Sequence, residues 1–177
     1  MNTNSSHEDI LLNSIWIEMK QANTNKYYSE LLIDQHLRRS KWFTIFSTGF
    51  SIGGAALSFI NDIFPIAACT ALGVAEILKL IFPYYIMKPD ELSRLSSLSI
   101  TYDSYFIKLK KIFDSLHCYE TTSSKAELQY CALYTEYSQS REEISRIFGK
   151  IDTKINKKAS AKSDDYLNNI YHYGKDQ

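Results

Sequence analysis

Between Trp42 and Met87 the chain is almost uncharged, and this stretch limits the possible folds more than any other. Trp42–Ile60 is 19 residues without an ionisable side chain, and Ile63–Met87 is 25 residues interrupted only by Glu76 and Lys79. Asn61-Asp62 separates them. A hydrocarbon core of roughly 30 Å needs about 20 helical residues at about 1.5 Å each, so either stretch is long enough to span it. The connection is too short to hold a domain. The pattern predicts a transmembrane helical hairpin with spans 42–60 and 63–87.

Average composition points elsewhere. A chain of 177 residues with zero net charge and 45% apolar residues reads as one ordinary soluble domain. That average hides a segregation: Met1–Lys41 carries five Lys/Arg and five Asp/Glu, and Lys88–Gln177 carries fourteen and thirteen. The alternative is a soluble helical protein that buries both apolar helices. Helices apolar all round need a large shell, which the mostly amphipathic remainder is poorly suited to supply. A charge-balanced polar part offers no electrostatic case for nucleic acid. No secretory signal precedes the apolar run, which begins 41 residues in, behind a long polar segment.

Flanking charge sets the expected orientation. Arg38, Arg39 and Lys41 abut the first span, and Lys88 follows the second, whereas the tip offers only Asp62. Both termini are therefore expected in the cytoplasm, with Trp42, Tyr84 and Tyr85 as interface anchors.

The polar parts read as helices. Glu8 to about Ala22 predicts a short amphipathic helix, Asn23-Thr24-Asn25 a break, and Lys26 onward a helix running into the first span. Lys88-Pro89-Asp90-Glu91 is a helix start, with proline in the first turn and acids at the positive end of the dipole. Leu92, Leu95, Ser99, Tyr102, Phe106, Leu109, Phe113 and Leu116 follow at spacings of three and four, close to a heptad seam. That seam is the expected oligomerisation element, with packing on the chain's own hairpin helix as the alternative. After His117–Ser123, the capping box Ser124-Lys125-Ala126-Glu127 opens a second helix to about Asn156, with a stripe at Leu128, Cys131, Tyr134, Ile144, Ile147, Phe148, Ile151 and Ile155. The fold class is an all-α membrane protein. Its parts are an N-terminal helical segment (1–41), the hairpin (42–87), a cytoplasmic αα-hairpin (88–156) and a tail (157–177), either a short final helix or disordered.

Within the spans, small residues predict close helix packing. The first holds Gly49 and Gly53 in a GxxxG; the second holds Ala67, Ala71 and Ala75 at every fourth position. Counted from Asn61-Asp62, Gly49 lies near the level of Ala75, and Gly53 near that of Ala71. Glu76 and Lys79 are costly in lipid, about 2.5–3.5 kcal/mol each at mid-helix. Their spacing allows them to pair. Thr44, Ser47, Thr48 and Ser51 are expected opposite them, giving a polar patch in the cytoplasmic half. It reads either as a self-neutralised pair with a snorkelling lysine or as the wall of a water-filled path in an oligomer.

Nothing points to an enzyme. His7, His36, His117 and His172 are scattered, and no triad or paired-carboxylate pattern is present. Cys69, Cys118 and Cys131 make no CxxC, so neither a disulfide framework nor a metal site is expected. No cofactor is expected.

The run His36-Leu-Arg-Arg-Ser-Lys-Trp42 leading into a tight two-span hairpin, then a long cytoplasmic helical region, resembles the SLATT family over about Glu8 to Asn156. These are two-transmembrane effector domains associated with nucleotide-second-messenger synthetases and SLOG-type sensors in bacterial conflict systems. The resemblance implies a homo-oligomeric inner-membrane effector that permeabilises the membrane in abortive infection. Its trigger would be a cyclic nucleotide or a neighbouring sensor or synthetase protein, and its partner the membrane lipid. A holin-like lysis protein and a non-conducting membrane adaptor are the rival expectations.

Overall fold

The computed structural model describes residues 3–57, 64–82, 87–138 and 151–171. Among these there are five helices and no strand: α1 (Thr3–Leu57), α2 (Phe64–Ile81), α3 (Pro89–His117), α4 (Ser123–Glu136) and α5 (Thr153–Tyr171). They form two compact units, residues 33–93 and the remainder on either side.

The larger unit is organised around α3. Beside the seam positions, Leu98, Tyr105 and Ile112 are also buried. They recur every seventh residue and widen the apolar stripe from two to three residues per heptad. A stripe that wide suits the centre of a bundle rather than a two-helix seam. It packs on Leu11, Ile15, Met19 and Ala22 of α1, Ala126 and Leu133 of α4, Tyr137, and Leu167 of α5. The seam is thereby corrected from an oligomerisation element to the chain's own core. Leu95, Tyr102, Phe106, Leu109, Phe113 and Leu116 are all buried, and Leu92 is half-buried. An intermolecular contact through them would require unpacking the unit.

Helix α1 does not break at Asn23-Thr24-Asn25. The asparagine amide that favours a break in isolation is used in tertiary packing: Asn23, 1% exposed, donates to Ser163 Oγ at 3.1 Å. The Asn25 carbonyl accepts from Ser29 Oγ. Burial and hydrogen bonding override the weak local preference.

The start of α3 is as expected, with Asp90 and Glu91 in its first turn and Glu91 accepting the Lys88 N–H. Its end is a Schellman arrangement: Tyr119 N–H donates to Leu116 O and Glu120 N–H to Ser115 O. Tyr119 occupies the left-handed position usually given to glycine, at φ 59°.

Helix α4 departs from expectation in start, face and length. It begins at Ser123 with Thr122 as N-cap, so the predicted box at Ser124 lies inside the helix. The expected inner stripe faces outward: Leu128 is 73% and Tyr134 43% exposed, and Cys131 is exposed. Ala126, Leu133 and Tyr137 turn inward instead, anchored by Tyr137 stacked on Tyr105 and bonded to Ser104. Ile144, Ile147 and Phe148 lie outside the described residues.

A single helix to Asn156 is not formed. Asp152 caps a new one, its carboxylate accepting the N–H groups of Lys154 and Ile155. The expected tail from Lys157 is thus largely the continuation of α5, whose Ile155, Ala159, Ser163 and Leu167 are buried at every fourth residue. Two of the four are small, which lets α5 approach α1 closely. Lys20–Asp164, at 2.7 Å, and Tyr171–Asp114, also at 2.7 Å, tie it further.

Candidate functional site

In the smaller unit, α1 beyond Ile33 lies beside α2. Phe43 stacks on Phe82, ring centroids 3.3 Å apart and 12° from parallel. Six residues outward from the expected Gly49–Ala75 level, Phe43 would face Ile81, one residue from its observed partner. The antiparallel register was therefore legible.

The packing glycine was not. A Cβ on Gly49 would meet nothing within 4 Å, so Gly49 makes no close approach to a helix. Ala75 is buried, at 1% exposed. The side chains of Ser51, Gly53, Ala67 and Ala71 lie outside what is described, as do Tyr84 and Tyr85 altogether.

The charged pair forms. Lys79 Nζ donates to Glu76 Oε1 at 2.6 Å, one turn apart. Both side chains are open, Glu76 at 67% and Lys79 at 46%. Thr44 is exposed and returns its hydroxyl to the Ser40 carbonyl, Thr48 is exposed, and Ser47 is half-buried. At the polar end, Arg38, Arg39, Lys41 and Lys88 are exposed, with Arg38 4.0 Å from Asp34. His36 has its Nδ1 buried without a hydrogen-bond partner among the described residues. Burial first, and then the Arg39 charge, holds its pKa below the usual histidine range, with Glu91 opposing.

Around these groups the surface is apolar. Trp42, Ile45, Phe46 and Ile52 on α1, and Val74, Ile77, Leu78, Leu80 and Ile81 on α2, are each 40–72% exposed. At about 100° per residue, the five on α2 cover close to half its circumference. Among the described residues, no helix is long and apolar enough to cross a membrane.

The larger unit carries a feature the sequence reading passed over. Lys108, Lys111 and Ser115 of α3 face Lys125, Gln129, Ala132 and Glu136 of α4 across a groove of about 500 Å³, with Ile112 and Leu133 as floor. Lys108 reaches Glu136 at 2.9 Å and lies 5.0 Å over the Tyr137 ring. The bonds to Glu136 and then Tyr137 raise its pKa above the usual lysine value. The signal was available, since these residues recur at spacings of three and four on the polar faces of both predicted helices.

Among the described residues, no three His, Cys, Asp or Glu side chains are grouped to hold a metal ion. Cys69, Cys118 and Cys131 are free and exposed. Comparison with protein-family models, with curated proteins and with solved structures finds no match to this chain.

Proposed function

We propose that the chain is an inner-membrane effector whose smaller unit enters the bilayer as a helical hairpin, and which permeabilises the membrane as an oligomer when a conflict signal arrives. The supporting observation is the band of nine large apolar side chains, from Trp42 to Ile81, left open to solvent on two adjacent helices. Surface of that kind on an isolated unit calls for an apolar neighbour. Acyl chains are the neighbour that covers a band spread over two helices without needing a complementary shape. The band belongs to the sequence that is uncharged on either side of Asn61-Asp62 apart from Glu76 and Lys79, and Arg38, Arg39, Lys41 and Lys88 stand at its polar end.

On this reading Glu76 and Lys79 enter lipid as a neutralised pair. A pair closed within one helix also suits a non-conducting adaptor, so conduction is the point to test. Copies assemble through surfaces other than the α3 seam, because that seam is core. The signal, whether a cyclic nucleotide or a sensor protein, acts by favouring the conducting assembly over the closed one. The resemblance to SLATT effectors supplies the abortive-infection setting.

The test is inducible expression with a potential-sensitive dye and cell fractionation. The expected result is chain in the membrane pellet and loss of potential, weakened by Glu76→Leu. Chain in the pellet with potential unchanged makes it an adaptor. Chain wholly in the supernatant overturns the membrane reading.

A further inference from the structure

We infer that the groove between α3 and α4 binds a phosphate group carried by a small ligand. The site belongs to the larger unit and does not depend on the membrane reading.

Seven polar residues decide the chemistry. Of the three lysines, only Lys108 is neutralised, by Glu136. Lys111 and Lys125 line the same groove and form no ion pair among the described residues. Glu120 also lines it, so two carboxylates stand against three ammonium groups, a net excess of one positive charge. Ser115 and Gln129 add neutral donors beside them. Point charges with flexible stems and neutral donors are a common way to hold phosphate oxygens.

The start of α4 breaks local rules in a direction that agrees. Its first turn holds no acid, and holds Lys125 instead. A cation there opposes the helix dipole. Thr122 makes no side-chain cap bond, so the first-turn N–H groups lack that acceptor. An anion in the groove would answer both the unpaired lysines and the unfavourable helix start. Violations of this kind concentrate at functional sites. The volume, about 500 Å³, exceeds what a phosphate needs, and the Ile112–Leu133 floor gives the rest of a small molecule an apolar seat.

The experiment is calorimetric titration of pyrophosphate into the full chain held in a mild detergent. One saturable site is expected, with a Kd of roughly millimolar or tighter. The Lys111→Gln/Lys125→Gln variant should weaken binding by about tenfold or more. Lys157→Gln on α5, away from the groove, should leave it unchanged. Circular dichroism of each variant confirms that the helices persist. No saturable heat to roughly 20 mM, or equal binding by the double variant, overturns the site. Soluble dihexanoyl phosphatidic acid then separates the sources of the phosphate: competition with pyrophosphate assigns a lipid headgroup, and its absence a soluble phosphorylated compound.

Discussion

Lys79 reaches back one turn of α2 to Glu76, Nζ to Oε1 at 2.6 Å, in the middle of an exposed apolar band. The pair links the sequence's one anomaly to the proposed function. Each charge alone costs about 2.5–3.5 kcal/mol at the centre of an inserted helix. Removing one strands the other, whereas removing both leaves a helix more apolar than the natural one.

The prediction is therefore non-additive. Glu76→Leu and Lys79→Leu should each lower the fraction of chain resisting alkaline carbonate extraction. The double variant should equal or exceed wild type. Additive losses would mean that the pair contributes contacts unrelated to insertion.

The α3 seam tests whether burial or oligomerisation governs that helix. Leu109 is fully buried, and Leu109→Ala should cost about 2–5 kcal/mol of stability. Ile107, two residues away and 57% exposed, should tolerate Ile107→Ser within about 0.5 kcal/mol. Urea unfolding in mild detergent, read by Trp16 fluorescence in a Trp42→Phe background, measures both. A midpoint for Leu109→Ala that recovers with protein concentration would restore the intermolecular seam.

That helix also shows how much was legible. Its start, its end and seven of its buried residues follow from spacing and capping alone. Its partners do not, because spacing states that a face is buried and not against what. The third row, Leu98, Tyr105 and Ile112, would have decided between seam and bundle centre. Helix α5 was harder. Ala159 and Ser163 are buried because they are small, and a pattern read from large apolar side chains overlooks them. Helix α4 misled because Leu128, Cys131 and Tyr134 form an apolar face opposite the one that packs. The register of the hairpin was legible from counting; the loose surroundings of Gly49 were not, since GxxxG is permission for close approach and not a cause of it.

Tyr119 sits at a left-handed position that costs a residue with a Cβ about 1 kcal/mol or more. Its side chain is 85% exposed, so little packing offsets that cost. Tyr119→Gly should stabilise the larger unit by about 1 kcal/mol, seen as a higher urea midpoint at constant slope. A fall in the midpoint would mean that the exposed ring makes contacts of its own.

Thr121 gives a companion test in the same loop. Its Oγ1 is buried with no hydrogen-bond partner among the described residues. Thr121→Val removes the unsatisfied group while keeping the shape. Stability should stay equal or rise by up to about 1–3 kcal/mol, the usual cost of such a group. Loss of stability would show that the hydroxyl has a partner in solution.

Alkaline pH tests the buried tyrosines. Burial raises the pKa of Tyr105, Tyr130 and Tyr171 above the ordinary 10.0, and Tyr171 is raised further by donating to the Asp114 carboxylate at 2.7 Å. Lys26 is raised as well: burial opposes the charge, but its hydrogen bond and ion pair with Asp103 prevail. All four groups hold their protons more tightly folded than unfolded. Above about pH 10 the unfolded chain releases them first, so stability is complete below that value and falls as pH rises through the folded values. Urea midpoints between roughly pH 8 and pH 11 should decline beyond pH 10. Tyr171→Phe removes one of these groups and should flatten the decline, although it lowers the midpoint at neutral pH by losing the Asp114 bond. A profile for Tyr171→Phe parallel to wild type would mean that Tyr171 is not held protonated by its buried setting, and that α5 is tied to α3 less closely than the Tyr171–Asp114 contact implies.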